Sequence, residues 1–230
     1  MSKEASSPAT KRNERPSSSD DNMAPPDSKR VDDIKTLIIP AVSVGNVGQI
    51  AVDFLCKAFS KSKPVHVDHE GNLLPCVGRV GTKTDSRITT ALEFHTLNEN
   101  VSCLQIRSMV VPGKSRSMAQ LILKFAVERG FTRVLMVGGA SALALIDEHQ
   151  LLQTRSLPRV WGMDAVVSKE FIELEYDITE LKLAGLLPFV VQEASNHPVK
   201  LAGLVTFVFE GDNIPDGQRI ALAVAKALNL

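Results

Sequence analysis

The fold is decided by an eight-residue corner, Phe209-Glu210-Gly211-Asp212-Asn213-Ile214-Pro215-Asp216. An apolar, β-branched-rich run at 201–209 leads into it and suits a buried strand. Gly211 permits a positive φ, and Pro215 suits the first turn of a helix, where its missing N–H is not needed. Asp212 or Asn213 can offer a side-chain oxygen to the unpaired N–H groups of that turn. Apolar residues then recur at helical spacing, so this C-terminal corner (209–216) predicts a strand, a rigid turn and a helix in succession.

A second corner of the same kind lies near the start of the apolar sequence. This N-terminal corner (39–49) reads Ile39-Pro40-Ala41-Val42-Ser43-Val44-Gly45-Asn46-Val47-Gly48-Gln49, between a short strand pattern at 36–39 and a helix pattern at 47–59. Gly45 and Gly48 form part of a dinucleotide-binding fingerprint, but Ser43 occupies the place of its first glycine. The pattern therefore favours tight packing of a helix on a strand, and an anion bound at the helix N-terminus is the alternative.

The rest of the chain alternates between strand and helix patterns. Strands are predicted near 64–68, 88–97, 101–107 and 133–137, a turn at 98–100, and a helix at 116–129 that Gly130 ends. A helix is also expected at 142–152, and a Leu/Ala-rich stretch at 181–194 is interrupted by proline. Such alternation predicts an α/β fold, a three-layer αβα sandwich with a mostly parallel central sheet and room for one antiparallel hairpin.

Composition limits the environment of the protein. Residues 1–33 are rich in Ser, Pro and charges, which predicts a disordered tail before one domain at 34–230. Lys plus Arg and Asp plus Glu number 26 each, so nucleic acid is not an expected partner. No apolar run approaches the roughly 20 residues of a membrane span. The odd count of three cysteines, Cys56, Cys76 and Cys103, without metal-type spacing, predicts free thiols in a soluble, intracellular protein.

Several fragments suggest chemistry without completing it. Gly113-Lys114-Ser115 ends like a phosphate-binding loop, but Ser108 stands where the upstream glycine is needed. His66, Asp68, His69 and Glu70 could bind a metal, yet their strand-and-turn spacing favours a polar turn. His95, His149 and His197 have no recognisable catalytic partner in sequence, although a triad can assemble in space. We therefore expect no catalytic, cofactor-binding or metal-binding residues and no cofactor.

The two corners carry a resemblance to a known family. Pro-Ala-Val-Ser-Val-Gly-Asn-Val-Gly-Gln at 40–49 and Glu-Gly-Asp-Asn-Ile-Pro-Asp at 210–216 resemble the signature segments of the proteasome assembly chaperone 2 family. Leu104-Gln105-Ile106-Arg107-Ser108 and Gln153-Thr154-Arg155-Ser156 stand between them in the expected order. The resemblance spans residues 36–228 and is strongest at its ends.

The resemblance implies a non-enzymatic chaperone that works without ATP or metal. Members of the family pair with a related chaperone subunit, and the heterodimer acts on the outer face of the proteasome α-subunit ring. We expect this chain in the cytoplasm and leave a nuclear location open. The alternative is a nucleoside-phosphorylase-like or hydrolase-like enzyme on a similar αβα scaffold. The family-like segments contain the candidate interface residues Ser43, Gly45, Asn46, Gly48, Gln49, Arg107, Arg155, Gly211, Asp212, Asn213 and Pro215.

Two features of that interface have a competing structural explanation. For Arg107 and Arg155, a structural or surface ion pair is favoured over a direct binding role. At the C-terminus, the resemblance implies a tail that ends in a hydrophobic residue, Tyr and any residue, but this chain has Leu228-Asn229-Leu230. Since Leu228 continues the helical spacing of the apolar residues before it, we expect this segment to lie on the core, with docking through the protein surface and the chaperone partner.

Overall fold

An eight-stranded sheet forms the centre of the protein in the computed structural model, which describes residues 34–81, 86–144, 158–162, 171–173, 181 and 184–230. The expected tail at 1–33, most of the helix expected at 142–152, and Arg155 lie outside the described residues. The described elements are β1 (Thr36–Pro40), α1 (Val47–Phe59), β2 (Val65–His66), β3 (Val77–Gly81), β4 (Ser86–Thr90), β5 (Leu92–Thr96), β6 (Val101–Ile106), α2 (Ser115–Glu128), β7 (Arg133–Ser141), β8 (Arg159–Trp161), β9 (Ile172–Glu173), α3 (Leu187–Ala194), β10 (Lys200–Val208) and α4 (Ile214–Ala227).

The sheet is parallel at its centre and antiparallel towards both edges. Its strand order is β2-β5-β6-β1-β7-β10-β8-β9, in which β6, β1, β7 and β10 run parallel. β5 pairs antiparallel with β6 and β2, and β8 pairs antiparallel with β10. The predicted mostly parallel α/β sheet is therefore confirmed, and the expected antiparallel hairpin is β5–β6. Asn98 Oδ1 closes its turn by accepting hydrogen bonds from the N–H groups of Asn100 and Val101.

Two predicted strands have different limits in the structure. The single strand predicted at 88–97 is two strands, because β4 pairs with β3 in a separate two-stranded ribbon while β5 joins the main sheet. The chain bends between them at the buried Ala91. β7 continues past the predicted 137 to Ser141, because all nine of its residues pair with β10. Pairing with strands distant in sequence sets the limits of β4, β5 and β7, and local sequence patterns carry no information on that pairing.

Helices cover both faces of the sheet, and the two helical layers and the sheet together make three layers. α1 and α4 pack against each other on one face, and α2 and α3 do so on the other. β1 contributes to both cores, with Leu37 and Ile39 facing α2 and α3 and Ile38 facing α1 and α4. This burial on both faces explains why the central strands are almost continuously apolar.

The last residues of the chain lie on the α1–α4 core. Leu228 and Leu230 are partly buried against it, and the N–H of Leu230 donates to the carbonyl of Ala225 at 2.9 Å. The position of Leu228 agrees with the expectation from its helical spacing. Within the described part of the chain, none of the helices is both long enough and apolar enough to span a membrane.

Candidate functional site

The two corners meet at the carboxyl edge of the parallel strands. β1 and β10 both pair in parallel with β7, so the loops that follow them leave the sheet on the same edge. Gly45 adopts a φ of +67°, and a Cβ at this position would overlap the side-chain amide of Asn213. Contact between the corners thus requires glycine at 45, for both its backbone conformation and its lack of a side chain.

The N-terminal corner is also tied to the end of β7. The Ser43 hydroxyl is buried and accepts a hydrogen bond from the N–H of Gly139 at 2.8 Å. A Cβ on Gly138 would lie 2.8 Å from that same hydroxyl oxygen, so Ser43 fits closely against two consecutive glycines. Asn46 follows with a φ of +53° and immediately precedes the first residue of α1. Ser43 therefore fixes the corner, and Asn46 is the exposed residue at its tip.

In the C-terminal corner, the two polar side chains have opposite roles. Asp212 Oδ1 accepts a hydrogen bond from the N–H of Ile214 at 3.1 Å, as expected of a capping residue. Asn213 instead donates from Nδ2 to the carbonyls of Phe209 and Gly211, at 3.0 and 3.2 Å. Of the two predicted candidates, Asp212 therefore accepts from the first turn of the helix, and the buried amide of Asn213 closes the turn before it. Gly211 has the expected positive φ, +149°, and Pro215 lies in the first turn of α4.

A cleft of about 590 Å³ opens between the corners. Its wall includes apolar residues from three segments, among them Val42, Met109 and Leu186. Among the described residues that line it, Glu210 is the one with an acidic or basic side chain. A single carboxylate beside apolar walls suits binding better than acid–base catalysis, which needs positioned proton donors and acceptors.

The packing of α1 on the sheet explains a second signature glycine. A Cβ on Gly48 would overlap the backbone carbonyl oxygen of Val137 in β7. The favoured interpretation of Gly45 and Gly48, tight packing of a helix on a strand, is therefore confirmed. The next residue, Gln49, accepts a hydrogen bond from Gln105 Nε2 through its backbone carbonyl at 2.9 Å.

A layer of polar side chains, buried at its centre and reaching solvent at Asp53, joins α1 to the β5–β6 hairpin. The strands contribute alternate residues on the face that α1 covers, and α1 contributes residues at helical spacing. We call this layer the polar interface; it consists of Gln49, Asp53, Cys56, Glu93, His95, Cys103, Gln105 and Arg107. Glu93, His95, Cys103 and Gln105 have no solvent exposure.

Arg107 connects the two sides of the polar interface. Its Nε donates to Glu93 Oε2 at 3.0 Å, and its Nη1 lies 2.8 Å from Asp53 Oδ1. Gln105 Nε2 donates to the same Asp53 oxygen at 2.8 Å. The favoured interpretation of Arg107 as a structural ion pair is thus confirmed.

Glu93 and His95 form a charged pair inside the polar interface. Burial alone would raise the pKa of the Glu93 carboxyl, but its contacts with His95 and Arg107 lower it to about 2. Burial likewise opposes a charge on His95, yet Cys56 and Glu93 raise its pKa to about 9. His95 Nε2 lies 3.5 Å from Glu93 Oε2, and neither ring nitrogen has a well-aligned hydrogen bond. The contact between His95 and Glu93 is therefore an ion pair without a well-aligned hydrogen bond.

The sequence did not reveal the partners of His95. Cys56 lies on another element, and Glu93 was not recognised, although the alternation Glu93-x-His95 inside an otherwise apolar strand is a signal that these side chains need buried partners. The Gly113-Lys114-Ser115 segment and residues 66–70 have the structural roles that the sequence favoured, a helix start and a polar turn. α2 begins at Ser115 after the Gly113 turn, and His66 Nδ1 contacts Thr90 Oγ1 at 3.0 Å. No group of three or more His, Cys, Asp or Glu side chains in the described ranges is arranged to hold a metal ion.

These features define a class: a three-layer α/β protein with a mostly parallel sheet whose signature loops meet at the carboxyl edge. The chain belongs to the PAC2 family, whose sequence profile matches residues 37–229. The resemblance inferred from the two corners is thereby confirmed.

Named relatives cover most of the chain. Proteasome assembly chaperone 2 of Danio rerio and that of Homo sapiens are each 28% identical to it over 219 residues, which covers 84% of this chain and 81% and 80% of theirs. The crystal structure of Pyrococcus furiosus PbaA, an archaeal homolog of proteasome-assembly chaperone, superposes with a TM-score of 0.56 at 17% identity, covering 86% of this chain and 83% of that one. The structural likeness supports the fold.

Proposed function

We propose that the chain is a non-enzymatic chaperone for assembly of the α-subunit ring of the core proteasome, acting as a heterodimer with a related chaperone subunit. One observation carries the proposal: relatives named proteasome assembly chaperone 2 align with 84% of the chain. A chaperone of this kind acts through surface complementarity and needs no reacting group.

Among the described candidate interface residues, exposure separates two sets, and Gly45, Gln49 and Arg107 lie between them. Asn46, Gly211, Asp212 and Pro215 are exposed and available to a partner. Ser43, Gly48 and Asn213 are buried, so they act by shaping the corners. We assign the first set to contact with a partner and the second to positioning.

Exposed apolar side chains surround the corners. Met109 is 68% exposed beside the cleft, and Leu143 is 82% exposed just beyond the end of β7. Phe209 and Ile214 are 44% and 54% exposed in the C-terminal corner. Apolar side chains gathered at one edge favour a protein–protein contact there, and we propose the carboxyl edge as the surface that meets a proteasome or chaperone subunit.

The enzyme alternative has less support. Cys56, His95 and Glu93 are the residues whose chemistry best suits catalysis, but they lie where α1 packs on the sheet and are not among the residues that line the cleft. A catalytic group must reach its substrate, and a substrate as large as a nucleoside cannot enter this closely packed layer. His95 and Glu93 have no solvent exposure, so the polar interface suits a structural role better.

Isolation of the tagged chain from its own cells, followed by mass spectrometry, tests the proposal. We expect α subunits and one related chaperone in amounts comparable to the bait. A variant with Leu143→Glu and Ile214→Glu places two charges at the carboxyl edge and is expected to lower recovery of a partner at least about tenfold. Leu222→Glu is the matched control, because the exposure of Leu222 on α4, 65%, falls between those of Ile214 and Leu143, and it lies away from that edge.

The outcomes separate the partner from the surface. Isolation without any proteasome or chaperone subunit contradicts the proposed function. Normal recovery of these partners by the Leu143/Ile214 variant retains the function and rejects the carboxyl edge as the contact. Equal loss with Leu222→Glu also rejects that surface.

A further inference from the structure

Two buried thiols face each other where α1 packs on β6. Cys56 lies on the inner side of α1 and is 5% exposed, and Cys103 lies in β6 and is fully buried. Gln105, two residues further along the same face of β6, bonds to Asp53, one turn earlier in α1, and both cysteines lie in the core between α1, α4 and the sheet. Their side chains are therefore neighbours.

His95 completes the group. It pairs directly with Cys103 across the β5–β6 hairpin, so the two side chains point to the same face, and its ring also contacts Cys56. Contact with Cys103 lowers the pKa of Cys56, burial raises it, and His95 lowers it further, to about 6. Burial, followed by the influence of Cys56, raises the pKa of Cys103 well above its usual value. Cys56 is also the one of the two thiols with any solvent exposure, so we take it as the nucleophile of the pair.

We propose that Cys56 and Cys103 are an oxidation site, at which a peroxide converts the two thiols to a disulfide that links α1 to β6. The proposal rests on the contact among Cys56, Cys103 and His95 and is independent of the proposed chaperone function.

The chemistry balances with one molecule of hydrogen peroxide. The Cys56 thiolate attacks one peroxide oxygen, the O–O bond breaks, and the departing hydroxide takes a proton from the His95 imidazolium. Cys56 is then a sulfenic acid. The Cys103 sulfur attacks the Cys56 sulfur, the S–O bond breaks, and the hydroxyl leaves as water with the Cys103 proton. In total, two thiols are oxidised and the peroxide is reduced to two waters.

The third cysteine provides a control within the same chain. Cys76 is partly exposed and packs against the core on the other face of the sheet. Exposure alone would favour oxidation of Cys76, whereas the proposal assigns the disulfide to the two buried thiols. The site of oxidation therefore separates the two explanations.

The test treats the full chain with hydrogen peroxide, counts free thiols and maps linked peptides without reductant. We expect two of the three thiols to be lost as one Cys56–Cys103 linkage and recovered with a dithiol reductant. Cys76→Ser is expected to give the same linkage. In Cys103→Ser, sulfenic acid at Cys56 is expected to accumulate, with dimedone labelling at least about tenfold above wild type, because the resolving thiol is gone.

Two results overturn the proposal. One is a linkage that includes Cys76. The other is a pair of thiols at 56 and 103 that remains free to alkylation after the treated chain is unfolded. Cys103→Ala repeats the dimedone test without a hydroxyl in the core, and labelling of Cys56 that stays at the wild-type level in both folded variants also rejects the mechanism.

Discussion

The corners at the carboxyl edge and the polar interface beneath α1 hold the same helix by different means. At its N-terminal end, α1 is held by shape, because Gly45 and Gly48 leave no room for a side chain. Further along, it is held by charge and hydrogen bonds through Asp53 and Arg107. The comparison teaches that the first region responds to changes in volume and the second to changes in charge and pH.

The largest expected effect breaks the polar interface. Glu93→Gln removes the buried charge that Arg107 and His95 share, and it is expected to lower the free energy of unfolding by about 3–5 kcal/mol. Chemical denaturation measures the change. Glu99→Gln, in the exposed turn of the same hairpin, is the matched control and is expected to stay within about 0.5 kcal/mol. Equal effects at both positions would show that the buried charge is not stabilising.

Acid is expected to remove the same stabilisation. The pKa of Glu93 is about 2 in the folded protein against an ordinary 4.5, so its contribution is present above pH 4.5 and is lost as the pH falls towards 2. The stability difference between wild type and Glu93→Gln should shrink over that window. Between about pH 6.5 and 9, His95 loses stabilisation as Cys56 gains it, so little slope is expected from this pair. A stability difference that grows in acid would contradict the assignment.

Gly48→Ala tests the close packing at the N-terminal end of α1. In an ordinary helix this change stabilises by about 1 kcal/mol, but here the added Cβ overlaps the Val137 carbonyl. Overpacking is expected to reverse the sign, with a net loss of about 2–3 kcal/mol measured by denaturation. Ala58→Gly, on the exposed side of α1, is the control and should lose about 1 kcal/mol as helix propensity predicts. A stabilised Gly48→Ala protein would disprove the close contact.

Gly211→Val separates backbone strain from crowding. No atom lies within 4 Å of a Cβ built on Gly211, so the change acts through its φ of +149° alone. We expect a loss of about 1–3 kcal/mol. Glu210→Val, beside it and without a positive φ, should change stability by less than about 0.5 kcal/mol. Unchanged stability with lost partner binding would instead make Gly211 a contact residue.

The smallest effect is expected at the N-terminal tail. Residues 1–33 lack periodic apolar side chains, so a chain that begins at Val31 should melt within about 2 °C of the full chain. Calorimetry of the two proteins measures the difference. A drop of about 10 °C or more would show that the tail contributes to the fold, since a shift of that size is a large share of a domain's stability.

Local sequence was sufficient to predict the corners. The positive φ of Gly211, the capping role of Asp212 and the position of Pro215 depend on neighbours within a few residues, so they can be inferred without knowledge of the fold. The donor role of Asn213 depends on how the turn carbonyls close around its amide, which residue type alone does not determine.

The polar interface could not be predicted in the same way. Arg107 bonds to Glu93 across 14 positions and to Asp53 across 54, so the pairing exists only once β5, β6 and α1 are assembled. Sequence reasoning gave Arg107 a structural ion pair without naming its partners. The division of 88–97 into β4 and β5 was missed for the same reason, since it depends on which strand each segment pairs with.

The central claim is that the chain assists assembly of the proteasome α ring, and reconstitution tests it most directly. Purified α subunits are mixed with the chain and its related chaperone, without nucleotide, and rings are counted by native mass spectrometry. The account predicts a complex that contains the chain and a higher yield of α rings than α subunits form alone. An unchanged ring yield together with no bound chain would contradict it.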